Sequence, residues 1–205
     1  MNKILVVGSV ALDSIKTPAG AVERALGGSA VYSSISASYF APVNFVGVVG
    51  DDFSKGHVKL LEKHGVDVAG LEVASGKTFH WKGEYPEFGD ALTHETHLNV
   101  FAEFDPKLPP AYCSTPFVFL ANIHPALQSS VLDKMKKPKL VVCDTMNLWI
   151  NTTESELRKL LKRVNIFVLN ETEAGMLAGT RDICACARAI MDMGPEVVII
   201  KKGVH

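Results

Sequence analysis

The sequence predicts a doubly wound α/β fold on a mainly parallel sheet, with a small β-strand lid, and three observations carry that prediction. Several short runs are almost continuously apolar and rich in β-branched residues, as strands buried on both faces require. Segments with apolar residues every three to four positions separate them. The two kinds alternate along the chain, which is the pattern of right-handed βαβ units.

Taken in order, the predicted strands are Ile4 to Val7, Val43 to Val49, Phe117 to Leu120, Leu140 to Cys143, Ile166 to Leu169 and Val197 to Ile200. Helical faces are formed by Phe53, His57, Leu60 and Leu61, and by Leu127, Val131, Leu132 and Met135. Two more are formed by Leu157, Leu160, Leu161 and Val164, and by Ile183, Ala187, Ile190 and Met191. Thr153 with Glu156 is expected to form a capping box, and His64-Gly65 to end the helix that starts near Phe53. Pro125 suits a first helical turn. Asp13 to Ala25 and Lys77 to Phe104 have no helical period. The second reads as extended segments, Thr78 to Trp81 and His97 to Phe101, around a turn region. Such excursions become a lid or a dimer surface, or remain a plain edge hairpin.

Composition narrows the function. Over 205 residues, 47% are apolar and 21% charged, which disfavours disorder, collagen and coiled coil. A net charge of −1 gives no electrostatic case for nucleic acid or an anionic membrane as main partner, so a small-molecule ligand is the default. The apolar N-terminal run is too short for a signal peptide or a membrane span. Cys113, Cys143, Cys184 and Cys186 lack metal spacing and read as reduced thiols, so a cytoplasmic location is expected.

Candidate site residues lie at predicted strand ends. Asp13 follows the first strand and should sit near the carboxyl edge of the sheet, where it can accept two sugar hydroxyl hydrogen bonds or simply form a turn. Gly27-Gly28 lets backbone approach a ligand, and a helix starting there would aim free N–H groups at it, but the diglycine alone reads rather as a tight loop before a closely packed small-residue helix. Asp52 reads as a helix N-cap or a strand-end acid. Asn170 and Glu173 could organise Mg²⁺ through water, or form a capping box. His94-Glu95-Thr96-His97 reads as exposed lid rather than a metal site, because an i,i+3 pair on a strand faces opposite ways. His124 reads as a loop histidine, Trp149 as packing and Lys201-Lys202 as a solvated strand end. No G-x-S-x-G, Walker A or G-x-G-x-x-G motif is present, against hydrolase, P-loop and dinucleotide-dependent oxidoreductase readings.

In their order along the chain, Gly8 to Asp13, Gly27-Gly28, Val46 to Asp52 with Phe53 to Gly56, Asp144 with Asn147, Asn170-x-x-Glu173 and Ile199 to Gly203 resemble the ribokinase-like, or PfkB, family of carbohydrate and nucleoside kinases. The resemblance covers Lys3 to Gly203. It implies a ribokinase-like domain over residues 1–205, with lid segments at about 13–25 and 77–104. It implies that Asp13, Gly27 and Gly28 bind the substrate, that Asn170, Glu173 and Gly203 serve the nucleotide, and that Glu173 organises Mg²⁺. The implied reaction moves the γ-phosphoryl of ATP to a hydroxyl of a sugar or nucleoside, mainly by positioning and charge neutralisation.

Two departures qualify what the resemblance implies. Tyr32 stands where many sugar kinases of the family carry a substrate-contacting Asn, so ribose-type recognition does not carry over. The family's Gly-Ala-Gly-Asp motif, source of the anion hole and the catalytic base, is absent. The domain is therefore expected to be incomplete, with its base and C-terminal nucleotide-binding part beyond His205, and the 205 residues alone to be inactive. The alternative is an inactive sugar- or nucleoside-binding sensor or regulatory protein. Phe79, Trp81 and Tyr85 could close over a sugar ring or a base, and exposed lid strands suit a homodimer.

Overall fold

The computed structural model describes residues 2–87 and 91–203. The chain divides into two compact units, Val6–Pro109 and Met1–Leu5 with Pro110–His205. Strand β1 (Ile4–Val7) gives residues to both. Residues 6–109 further carry β2 (Ala11–Thr17), β3 (Gly20–Gly27), α1 (Ser29–Ser38), β4 (Val43–Val49), α2 (Lys55–Lys63), β5 (Val66–Val73), β6 (Phe79–Glu84) and β7 (Leu92–His97). Residues 110–203 carry β8 (Phe117–Leu120), α3 (Pro125–Lys134), β9 (Leu140–Asp144), α4 (Asn147–Thr152), α5 (Glu154–Leu161), β10 (Ile166–Asn170), α6 (Glu171–Ala178), α7 (Ile183–Met191) and β11 (Val197–Lys201).

One sheet has seven strands in the order β11-β10-β9-β8-β1-β4-β5, and a second has four in the order β3-β2-β6-β7. Sequence order runs outward from β1 in both directions, so the larger sheet is doubly wound. Its pairs β4 with β5, β8 with β9, β9 with β10 and β10 with β11 are parallel. Every residue of β4 is buried, as a continuous apolar strand demands when both its faces are covered. In the smaller sheet β2 pairs antiparallel with β3 and parallel with β6, while β7 pairs antiparallel with β6.

Several local expectations change. Thr153 precedes α5, but its hydroxyl donates to the Trp149 carbonyl and the Glu156 carboxylate accepts from Ser155, so no capping box forms there. The N-cap of α2 is Ser54, whose Oγ accepts the Gly56 N–H; Asp52 is used elsewhere. His97 to Phe101 is not one extended segment: β7 ends at His97, and Asn99–Glu103 turns into a 3₁₀ helix. Strand β5, half-exposed and interrupted by Gly70, gave no continuous apolar run. His64-Gly65 does end α2, with Gly65 at φ +74°. Three of the lid-segment residues, 88–90, lie outside the described residues, as does His205. No helix among the described residues is long and apolar enough to cross a membrane.

The carboxyl ends of β8 and β9 are tied by one amide. Gln128 of α3 is fully buried, and its Nε2 donates to the carbonyls of Leu120, Ala121 and Asp144 at 3.0–3.2 Å. A buried carbonyl left without a donor costs about 1–3 kcal/mol. Gln128→Leu keeps the volume and strands these carbonyls, so it should lower unfolding free energy by about 2 kcal/mol in urea titration. A change under about 0.5 kcal/mol would show that the carbonyls find other partners.

Candidate functional site

In residues 6–109 the site is built on one face of the small sheet and on the turn into α1. Asp13 lies on β2, and its carboxylate accepts the Gly28 N–H. Burial outweighs that bond and pushes the Asp13 carboxyl up to about 6 from 3.8. Gly27 and Gly28 are there because nothing larger fits. A Cβ on Gly27 would lie 1.9 Å from the Asp13 carboxylate, and one on Gly28, at φ +94°, would lie 2.4 Å from the Ser9 carbonyl oxygen.

An aromatic wall surrounds this carboxylate. Trp81 of β6 is in register with Asp13, so both side chains leave the same face of the sheet. Its indole lies along that face over Gly83, where a Cβ would come within 2.3 Å of the ring. The indole N–H donates to Thr93 Oγ1 at 3.1 Å, and its ring meets the Tyr85 ring edge-on at 6.1 Å. Tyr32 of α1 and Tyr85 are both partly exposed. Burial first, and then the Asp13 charge, raise both phenols above the ordinary tyrosine value. A carboxylate that accepts hydroxyl hydrogen bonds beside faces that stack on a planar ring is a chemistry for polyhydroxylated, ring-bearing molecules.

The structure decides between the two readings of the diglycine and corrects one expectation about the aromatic residues. The amides at the start of α1 are not free: Ser29 and Ala30 donate to Ser9 Oγ and the Ser9 carbonyl, and Val31 and Tyr32 donate to the Gly28 carbonyl. Gly28 alone turns an N–H toward the site residue Asp13. Phe79 is committed to packing, stacked on Phe101 at 5.2 Å, and does not join Trp81 and Tyr85. His94 and His97 are exposed and paired with Glu84 and Glu95, and no grouping that could hold a metal occurs among the described residues.

In residues 110–203 the polar residues sit at the carboxyl ends of adjacent strands. Asn170 ends β10 in register with Lys201 of β11, while Asp144 ends β9. Burial raises the Asp144 carboxyl, and the Lys201 ammonium, 3.6 Å from Asp144 Oδ1, opposes that rise. Asn170 and Glu173 form a full capping box on α6: Asn170 Oδ1 accepts the Glu173 N–H at 2.8 Å, and Glu173 Oε2 accepts the Asn170 N–H at 2.7 Å. Beside them opens a cleft of about 630 Å³ lined by Glu171, Thr172, Gly175, Met176, Gly179, Thr180 and Arg181. Gly203 is an exposed turn residue at φ +64°.

No family model matches the chain. Among curated proteins it is 28% identical to the cytidine kinase of Thermococcus kodakarensis over 214 residues, covering 99% of this chain and 74% of that enzyme. Its fold matches the nucleoside kinase of Methanocaldococcus jannaschii, an archaeal member of the ribokinase family, with a TM-score of 0.73 at 17% identity over 99% of this chain and 71% of that one. Thermotoga maritima ribokinase matches with a TM-score of 0.74 at 18% identity over 99% and 72% of the two chains. The chain has the fold of these ribokinase-family structures.

Sequence reasoning missed three features of this fold. Tyr32 was noted only for what it replaces, not as a wall of the site. The Asp144–Lys201 pair was hidden because Lys201 reads as a solvated strand end. Asp52 serves as an anchor, with Oδ1 on Thr78 and Oδ2 on Arg24, and only pairing of β2 with β6 brings those partners together. His124 caps α3 through Nδ1, and Trp149 donates to Asn122 Oδ1.

The pH behaviour of Asp13 follows from its raised value. Between about 4 and 6 the folded protein binds a proton that the unfolded chain has released, so this group lowers stability as pH rises through that window. Asp13→Asn should therefore raise the melting temperature at pH 7 and leave it unchanged at pH 4, measured by differential scanning calorimetry. Equal melting temperatures at both pH values would show that the carboxyl is not held in a dry setting.

Proposed function

We propose that this chain provides the substrate-binding and phosphate-positioning machinery of an ATP- and Mg²⁺-dependent kinase that phosphorylates a hydroxyl of a nucleoside. The observation that carries the reading is the Asp13 carboxylate set beside Trp81, Tyr85 and Tyr32. A free sugar needs hydroxyl acceptors but gains less from three aromatic side chains than a nucleoside does, since a base offers a π-face worth about 1–3 kcal/mol on stacking. The curated relative, a cytidine kinase, supports the same choice; the neighbours in fold include a nucleoside kinase and ribokinases, and one ribokinase, from Cryptococcus neoformans, is complexed with ADP.

In this reading Asp13 accepts hydrogen bonds from two hydroxyls and fixes the sugar, Gly27 and Gly28 let it lie close to backbone, and the aromatic side chains hold the base. The oxygen-only chemistry of Asn170 and Glu173 fits a hydrated Mg²⁺: a buried carboxylate at a strand end, with one oxygen held by its own helix cap, contacts a hard cation through water. Mg²⁺ would neutralise phosphate charge during transfer. Gly203 belongs to the nucleotide region, and Lys201 supplies a cation at the strand end. No residue of this chain is assigned the role of base. A cytoplasmic location and a homodimer through the lid strands belong to the same proposal.

The test is ATP consumption by the full-length protein with Mg²⁺ across nucleosides and free sugars. Turnover of nucleosides at least about tenfold above any free sugar is expected, and Trp81→Ala should weaken nucleoside affinity about tenfold, the loss of one stacking contact. Ligand binding without ATP consumption in any case would favour a sensor instead.

A further inference from the structure

The pairing of β2 with β3 breaks register beside Asp13. Asp13 faces Ala25 and Ile15 faces Val22, so two residues, Glu23 and Arg24, stand opposite Ser14. Such a bulge bends the strand and re-aims neighbouring side chains. Arg24 sits there at φ +52°, a left-handed conformation that glycine adopts without cost and other residues adopt at about 1–2 kcal/mol. The side chain present is therefore one that the backbone alone would not select.

Its contacts account for the choice. Arg24 Nη2 donates to Asp52 Oδ2 at 2.5 Å, and the Arg24 N–H donates to Ser14 Oγ at 3.2 Å. The Ser14 hydroxyl donates to Glu23 Oε2 at 2.7 Å and lies 3.0 Å from His80 Nε2, so the residue opposite the bulge ties both flanking strands. Asp52 Oδ1 accepts both the N–H and the hydroxyl of Thr78, each at 2.7 Å. Thr78 is fully buried and directly precedes β6; its Oγ1 accepts the Gly50 N–H and its carbonyl accepts from Asn99. One carboxylate thus holds β3 on one flank of β2 and the root of β6 on the other. The hydrogen bonds from Thr78 and Arg24 hold the Asp52 carboxyl below the ordinary value although its partial burial acts the other way.

A half-exposed ion pair such as Arg24–Asp52 contributes little to stability. Backbone strain that stability does not explain points to function. We infer that Asp52, Arg24 and Ser14 are positioning residues that fix the bulge and so place the Asp13 carboxylate for its substrate; the inference rests on Asp13 being the hydroxyl-binding group. Both neighbours of β2 are clamped, so the carboxylate keeps its place against the Gly28 N–H, Tyr32 and Tyr85 when a ligand pulls on it. A shift near 1 Å at such a group is enough to cost up to about a hundredfold.

The test uses the full-length protein and its variants Arg24→Gly, Asp52→Asn, Ser14→Ala and Arg24→Lys. Arg24→Gly relieves the strain but removes the clamp, and Arg24→Lys keeps a cation. The Asp13 carboxyl titration is followed by carbon-13 NMR, alongside dissociation constants for nucleoside and ATP and the melting temperature. Arg24→Gly and Asp52→Asn should move the Asp13 midpoint down from about 6 toward 3.8 as water enters. They should weaken nucleoside binding about tenfold and leave ATP binding unchanged, with Arg24→Lys partly restoring both readouts. Ser14→Ala, which alters no charge, carries the measurement if either charge variant fails to fold. An unmoved midpoint in a folded variant overturns the inference. A moved midpoint in a protein whose wild type binds no nucleoside sustains the positioning role and overturns the nucleoside reading.

Discussion

A carboxylate held mostly out of water against a single backbone N–H is the constraint around which residues 6–109 are arranged. Asp13 would be more comfortable in solvent, as its rise to about 6 records. Its place follows from backbone that closes on it from two sides. Gly27 and Gly28 bring the start of α1 so near that neither position admits a side chain, and β6 brings Trp81 to the same sheet face. Removing the ionised group should relieve the fold, since a buried charge costs more than a neutral amide in the same place.

The same logic extends outward from Asp13. The bulge at Glu23 and Arg24 and the anchor at Asp52 spend backbone conformation and charge on residues that form no core. Their common effect is to fix the strands on either side of β2. In residues 110–203 the polar groups are held differently. Asn170 and Glu173 satisfy each other across a helix start, and Asp144 is balanced by Lys201, so each strand end presents charge whose direction is already set. Preset direction is what phosphoryl transfer asks of its protein, since catalysis there rests on positioning and on neutralised charge.

The larger sheet was legible because its strands are buried on both faces, and continuous apolar runs such as Val43 to Val49 have no other simple reading. Asp13, Gly27, Gly28 and the Asn170-x-x-Glu173 pattern were legible because each lies at an edge of a predicted strand or helix. The rest depended on pairing. Trp81 and Tyr85, on and just after β6, are joined by Tyr32 of α1 only through the fold, and Asp52 reads as a cap until β6 is placed beside β2. At α1 the tight-loop reading of the diglycine holds, because Ser9, twenty residues from Ser29, takes two of the amides that a ligand would need. The Thr153 capping box failed because the hydroxyl had a nearer acceptor in the preceding turn, the Trp149 carbonyl.

Whether Asp13 itself recognises the hydroxyls of a nucleoside is decided by a double-mutant cycle in which one partner is Asp13→Asn and the other is a nucleoside lacking one ribose hydroxyl, with affinities read by calorimetry on the full-length protein. Removing the hydroxyl should cost about tenfold or more in the wild type and almost nothing in the variant, for at least one of the ribose hydroxyls. The same loss in both proteins for every hydroxyl would mean that Asp13 does not touch the sugar.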